Sequence, residues 1–343
     1  MTRYYRPIPQ NDPARPEGAL TLAGGWCWFT HVEVLSRSEA PRVLPAQAVP
    51  PEALSRLTAP RAALAGMSMA APQLMGILNV TPDSFSDGGK FDAPEAALAH
   101  AQAMEAAGVA IIDVGGESTR PGAATVEAEA EIARTAPVIA AIRARSAVPI
   151  SIDTRKAAVA EAALRAGANL VNDVAAFTHD PALAGVSAAA GVPVCLMHAQ
   201  GDPETMQKDP RYDNVLLDVF DFLAERVAAA EAAGIPRERI CVDPGIGFGK
   251  TLAHNLALLQ RISLFHALGC PILLGASRKR FIGVIAGAES AEDRAFGSVA
   301  VALGALGQGV QILRVHDTKE TKQAIDLMRA VMHGQAGHEA GAR

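Results

Sequence analysis

No run of 18 or more consecutive apolar residues occurs in the sequence; the most apolar stretch, Ala295 to Val310, is interrupted by glycine and glutamine. A helix needs such a run to cross a bilayer, so no membrane partner is expected, and Ala295–Val310 reads as a buried helix. Cys27, Cys195, Cys241 and Cys270 form no Cys-x-x-Cys pair, and the last three lie in or beside apolar segments, where cysteine acts as a small hydrophobe. That usage fits a reducing compartment. No signal-peptide core precedes the prolines at 7, 9, 13 and 16, so a cytoplasmic location is expected. Blocks of five or six like charges are also missing, and 31 Lys+Arg against 36 Asp+Glu leave a net charge of −5, which argues against a nucleic-acid partner. No Cys/His set has zinc spacing, and no G-x-S-x-G elbow is present. Gly249-Lys250-Thr251 ends like a phosphate loop, but Pro244 stands where that motif requires glycine.

Half of the 343 residues are hydrophobic, ample for a large core. A single (β/α)8 barrel takes about 250 residues and would leave about 90, too few for a typical second domain. The composition breaks near residue 72: ten of the 22 prolines, both tryptophans and two of the three tyrosines fall in residues 1–72. The expected organisation is an N-terminal extension over 1–72, a barrel over 73–334 and a tail over 335–343. Within the extension, Trp26–Leu35 alternates like a strand, and Pro41–Pro60 reads as a linker with one short helix.

From residue 74, eight short apolar runs alternate with helical patterns. The runs are 74–79, 110–113, 149–153, 170–173, 194–198, 240–243, 272–275 and 312–316. Several of the helical patterns end in Ala-Gly-Val or Ala-Gly-Ala, a C-cap glycine leading into the next strand. Eight βα units predict a TIM barrel, with a doubly wound sheet as the alternative. Nearly every run ends in a polar residue: Asn79, Asp113, Asp153, Asn172, His198, Asp243, Arg314 and His316. One such residue could simply cap a helix. The whole set, placed where parallel strands end, marks the face on which barrels keep their chemistry.

The loops Thr81–Gly89 and Gly115–Gly122 are longer than a βα connection requires, as active-face lids are. In the second, Thr119 and Arg120 beside glycine amides suit a phosphate. Arg314 and His316 are two apart and share a strand face, so they can converge on one anion. The glycines of Pro244–Lys250 are expected to bring backbone close to a ligand, with Phe248 as a flat apolar surface. Lys279 is expected to share a cup with Asp153 and Asp243, an arrangement suited to a polar heterocycle carrying a diphosphate.

Residues 75–89 (MGILNVTPDSFSDGG) and 112–122 (IDVGGESTRPG), with Ser151–Thr154, Asn172-Asp173, Leu196–His198, Asp243–Lys250, Ser277–Lys279 and Arg314–Asp317, resemble the dihydropteroate synthase family over about residues 73–332. The resemblance implies a pterin-binding TIM barrel that condenses 6-hydroxymethyl-7,8-dihydropterin diphosphate with p-aminobenzoate, releasing pyrophosphate, with Mg2+. It implies that Asp113, Asp153, Asn172, Met197, Asp243, Gly275 and Lys279 hold the pterin, and that Thr119, Arg120, Arg314 and His316 hold the diphosphate. Phe85, Thr119, Pro121, Phe248, Lys279 and Arg280 would hold p-aminobenzoate, and Asn79 would hold the metal. Asp153, Lys279, Arg314 and His316 are the expected catalytic residues, in an SN1-like displacement.

A homodimer through the outer helices and sulfonamide susceptibility are further expectations. In this family a short β element plugs the barrel bottom, so Trp26–Leu35 is expected to be an enlarged plug with its aromatics buried there. A start at Met67 or Met69 is the alternative. Two rival functions remain: a methyltetrahydrofolate-dependent corrinoid methyltransferase, which needs no diphosphate cluster, and a non-catalytic pterin-binding homologue, which would have lost site residues.

Overall fold

The computed structural model describes residues 2–81, 93–118, 123, 125–201 and 205–334. Before the barrel lie strands β1 (Tyr4–Pro7), β2 (Leu20–Thr21), β3 (Trp28–Phe29), β4 (His31–Leu35) and β5 (Arg42–Pro45), then helix α1 (Pro51–Thr58). β1, β4 and β5 form an antiparallel sheet, and β2 and β3 a hairpin.

The barrel strands are β6 (Gln73–Asn79), β7 (Ile111–Gly115), β8 (Ile150–Asp153), β9 (Leu170–Asp173), β10 (Val194–Met197), β11 (Ile240–Asp243), β12 (Leu273–Leu274) and β13 (Ile312–Val315). Around them run α2 (Ala93–Ala106), α3 (Ala128–Arg143), α4 (Ala157–Ala166), α5 (Ala182–Ala190), α6 (Val215–Ala232), α7 (Leu252–Gln260), α8 (Arg280–Ala286), α9 (Ala295–Leu306) and α10 (Thr318–His333). All eight strands are parallel, in the order β11-β10-β9-β8-β7-β6-β13-β12. The parallel bridge between Val242 and Ile272 closes the ring, so the sheet is a barrel and not an open doubly wound one.

Strand periodicity then sorts side chains by height. Met75, Ile111, Leu170, Cys195, Cys241, Leu273 and Ile312 form one buried apolar cluster inside the barrel. Two residues further along the same strands come Ile77, Asp113, Asn172, Met197, Asp243, Gly275 and Arg314. An oily layer thus lies below a polar one.

The floor of that apolar layer is filled by Leu64, Met67 and Met69, from a tight turn in which Leu64 and Met67 exchange backbone hydrogen bonds. This corrects the expectation that Trp26–Leu35 plugs the barrel. That segment instead lies against the turn from α9 into β13, where Trp26 Nε1 donates to the Leu306 carbonyl at 2.9 Å, and Leu22, Cys27, Phe29, Val32 and Leu57 make a small core of their own. Tyr4 in β1 packs edge-on against Phe220, with its hydroxyl donating to Asp221. The physical reason is polar: indole N–H and phenol O–H groups need acceptors. The barrel interior, whose strand backbones are already paired, offers them few.

A second correction concerns Ala295–Val310. α9 buries Ser298, Ala302, Ala305 and Leu306 but leaves Phe296 89% exposed. Its nearly unbroken apolar sequence hid which face points outward. Among the described residues no helix is long and apolar enough to cross a membrane.

Candidate active site

Polar residues at the ends of β7, β8, β9, β11 and β13 meet at the barrel mouth. Arg314 donates from Nε to Asp113 Oδ2 at 2.6 Å and from a terminal nitrogen to Asp153 Oδ2 at 2.7 Å. Asn172 Nδ2 donates to the same Asp113 oxygen at 3.1 Å. Asp113 Oδ1 and Asp153 Oδ1 are buried and find no partner among the described residues. An unsatisfied buried carboxylate oxygen is costly, so two side by side mark a place prepared for donors from a ligand.

The charges in this cup are strongly perturbed. Burial raises the Asp153 carboxyl above the usual carboxylate range, even with the opposing pull of Arg314. Burial likewise raises Asp243, partly offset by the Gly245 N–H that donates to it at 2.7 Å. Burial disfavours the Arg314 cation, but Asp113 and Asp153 outweigh it and the guanidinium is held more firmly charged than usual. Lys279, at the N-terminal edge of α8, is lowered to about 7 by burial, against the attraction of Asp243 and Asp153. Perturbed titratable groups gathered in a cleft are a signature of function.

Lys279 Nζ donates to the Ile246 carbonyl and lies 4.1 Å from the centre of the Phe248 ring, a cation–π contact. Gly275 leaves room beside the carboxylate of Asp243, since a Cβ there would lie 3.5 Å from Oδ2. Asn79 Oδ1 and Asp153 Oδ2 both reach the space that a Cβ on Gly115 would fill, at 3.6 and 3.7 Å. His316 meets Ser277 twice: its backbone N–H donates to Oγ at 3.2 Å, and Nδ1 lies 3.1 Å from the same oxygen. Arg278 points elsewhere and forms a bidentate pair with Asp317.

Two of the glycines after β11 make room for a neighbouring loop, while Gly247, φ +84°, faces Lys279, where a Cβ would lie 3.0 Å from Cδ. At Gly245, φ +68°, a Cβ would sit 1.9 Å from the His198 carbonyl oxygen, and at Gly249, φ +61°, one would sit 2.5 Å from that of Gln200. They let this loop lie flat on the loop after β10. His198 is also turned away from the cup, with Nδ1 2.8 Å from Lys250 Nζ and its ring edge-on to Phe222.

Of the residues expected at the site, Asn79, Asp113, Asp153, Asn172, Met197, Asp243, Phe248, Gly275, Lys279, Arg280, Arg314 and His316 all lie on strand ends and loops of this face. Arg280 is exposed at the first turn of α8. Phe85, Thr119, Arg120 and Pro121 lie outside the described residues. Sequence reasoning missed Ser277, Lys250 and Glu117, whose carboxylate takes Lys156 at 2.9 Å, Arg155 at 3.2 Å and the Val126 N–H at 3.1 Å. Nothing in their spacing announces these partners, which come from distant parts of the chain. Among the described residues no three His, Cys, Asp or Glu side chains are grouped as a metal cluster.

Residues 75–316 match the family described as pterin binding enzyme. The dihydropteroate synthase of Escherichia coli K12 is 47% identical over 266 residues, covering 78% of this chain and 94% of that one. Among solved structures, a Xanthomonas albilineans dihydropteroate synthase with 4-aminobenzoic acid superposes with a TM-score of 0.75 at 46% identity, covering 79% of this chain and 98% of that one. A Yersinia pestis dihydropteroate synthase in complex with a sulfonamide drug has a TM-score of 0.74 at 46% identity, covering 78% and 96%.

Proposed function

The chain belongs to the pterin-binding enzyme family, among its dihydropteroate synthases, and on that premise we propose how its residues join 6-hydroxymethyl-7,8-dihydropterin diphosphate to p-aminobenzoate. The observation that carries the reading is the pair of carboxylate oxygens on Asp113 and Asp153 that have no partner among the described residues, beside Asn172 and under Arg314. A pterin ring presents amide and amino N–H groups, the donors those oxygens lack. Asp243 and Lys279 close the other side of the ring, with Met197 and Gly275 packed nearby.

In the reaction the bond between the exocyclic methylene and the diphosphate oxygen breaks, and its electron pair leaves with the diphosphate. Positive charge spreads into the pterin, where Asp153 and Asp113 stabilise it electrostatically. The neutral arylamine nitrogen forms the new C–N bond and then gives up a proton. Arg314 and His316, with Thr119 and Arg120, hold the departing pyrophosphate, and Arg314 can exchange a carboxylate for a phosphate oxygen as the ligand enters. Phe248 and Lys279 receive the arylamine, with Phe85, Pro121 and the backbone at Arg280.

The residues fit a magnesium ion. Asn79 Oδ1 and the Asp153 carboxylate share the space above Gly115, and Mg2+ takes one or two hard oxygen ligands while keeping waters and phosphate oxygens. Asn79 would hold it, and when bound it supplies charge neutralisation to the diphosphate. The purified chain should form 7,8-dihydropteroate from the two substrates, with sulfanilamide competing against p-aminobenzoate. Absence of that product would overturn the reading.

Two supporting inferences concern context. Val284, Ile285, Phe296, Leu327 and Val331 are exposed on the neighbouring helices α8, α9 and α10, a surface that suits a second copy of this chain. Phe296→Glu should then convert a dimer to a monomer in sedimentation; an unchanged sedimentation coefficient would refute the pairing. The four cysteines are free and buried, which supports the cytoplasm as the compartment.

A further inference from the structure

Lys250 has no part in the reaction just described, yet it is 3% exposed at the mouth of the barrel. Its Nζ lies 2.8 Å from His198 Nδ1, 3.0 Å from the Phe248 carbonyl oxygen and 3.4 Å from that of His198. No carboxylate bonds to it among the described residues. Burial and the neighbouring Lys279 lower its pKa well below the ordinary lysine value. These three contacts occupy the nitrogen fully and tie the loop after β10 to the loop after β11.

What it ties is the crest that carries Phe248. The same loop is fastened by the Tyr212 hydroxyl to the Gly249 carbonyl at 2.8 Å and by the Gly247 N–H to Asn255 Oδ1 at 2.7 Å. Of these tethers, Lys250 alone holds the Phe248 peptide itself. The Phe248 ring in turn carries Lys279 on its face and lines a cavity of about 310 Å³ with Arg155 and Met206. Of the residues assigned to the pterin, Asp243 and Lys279 border this loop, whereas Asp113, Asp153 and Asn172 come from β7, β8 and β9.

We infer that Lys250 and His198 are a positioning pair that sets Phe248 as the platform for the arylamine, and so governs affinity for the amine more than for the pterin. The inference rests on the synthase reading above.

The test uses the full chain, with steady-state kinetics in p-aminobenzoate and calorimetric titration of the pterin diphosphate without amine. Lys250→Met should raise KM for p-aminobenzoate about tenfold, the effect of one buried tether, and leave the pterin Kd within about threefold. His198→Phe should do the same, whereas His198→Asn, which keeps a polar partner near the Nδ1 position, should restore KM close to the unaltered protein. Joined in one chain, Lys250→Met and His198→Phe should cost no more than either alone, because both break one unit. An unchanged KM in a folded Lys250→Met variant, or an equal loss of affinity for both substrates, would overturn the pair. If Lys250→Met does not fold, the contrast between His198→Phe and His198→Asn decides alone. Failure of the unaltered protein to turn over would instead count against the synthase reading.

Discussion

The two ends of the barrel are built from the same strands by opposite chemistry. At the floor, Met75, Ile111, Leu170, Cys195, Cys241, Leu273 and Ile312 pack with Leu64, Met67 and Met69, and most are fully buried. At the mouth above it, three carboxylates and two basic side chains face one another, and two carboxylate oxygens have no partner among the described residues. The floor contributes stability by excluding water. The mouth gives some of that stability up, because burial makes the charged forms of Asp153, Asp243 and Lys279 costly. Strand periodicity keeps the two on separate levels of the same strands.

The sharpest contrast is between Arg314→Ala and Leu170→Ala. Loss of Arg314 should lower kcat/KM by about a thousandfold, as removal of a preorganised charge partner does, and moves the melting temperature far less than it moves activity. Leu170→Ala should destabilise by about 2–5 kcal/mol and leave kcat/KM nearly intact at temperatures where the variant is folded. Melting curves and steady-state rates on both variants check this. If Leu170→Ala cut activity as deeply as Arg314→Ala in folded protein, the division between floor and mouth would be wrong.

A smaller effect sharpens the mouth itself. Burial raises the folded pKa of Asp153, so the folded state holds that proton more tightly than the unfolded chain does. The cost of ionising Asp153 is absent below its ordinary pKa near 4 and grows as pH rises through its raised folded value. Asp153→Asn removes that cost. Its melting temperature relative to the unaltered protein should therefore be more favourable at pH 8 than at pH 5, while kcat falls at both. A shift of the opposite sign would show that pairing with Arg314, and not burial, controls this carboxyl.

The sequence made the barrel legible because the apolar runs are short, nearly all end in a polar residue and alternate with helical patterns, so the eight strands appear within one or two residues of their expected positions. The mouth was legible for the same reason: period 2 puts Arg314 and His316 on one face, and Asp113, Asn172 and Asp243 two residues above the floor. Contacts between distant loops were not. The Lys250–His198 bond joins residues 52 apart, and neither its spacing nor its residue types distinguish it from a solvated lysine. The N-terminal segment misled for a different reason. Alternation in Trp26–Leu35 predicts a strand but not the surface it covers, and the need of Trp26 for an acceptor, met by Leu306 on α9, fixed that choice.

The measurement that bears most directly on the account is pyrophosphate release by the purified chain given the pterin diphosphate, with and without p-aminobenzoate. Release that depends on the amine in the unaltered protein and vanishes in Arg314→Ala is the predicted result. Release of equal rate without the amine, or none at all, would contradict it.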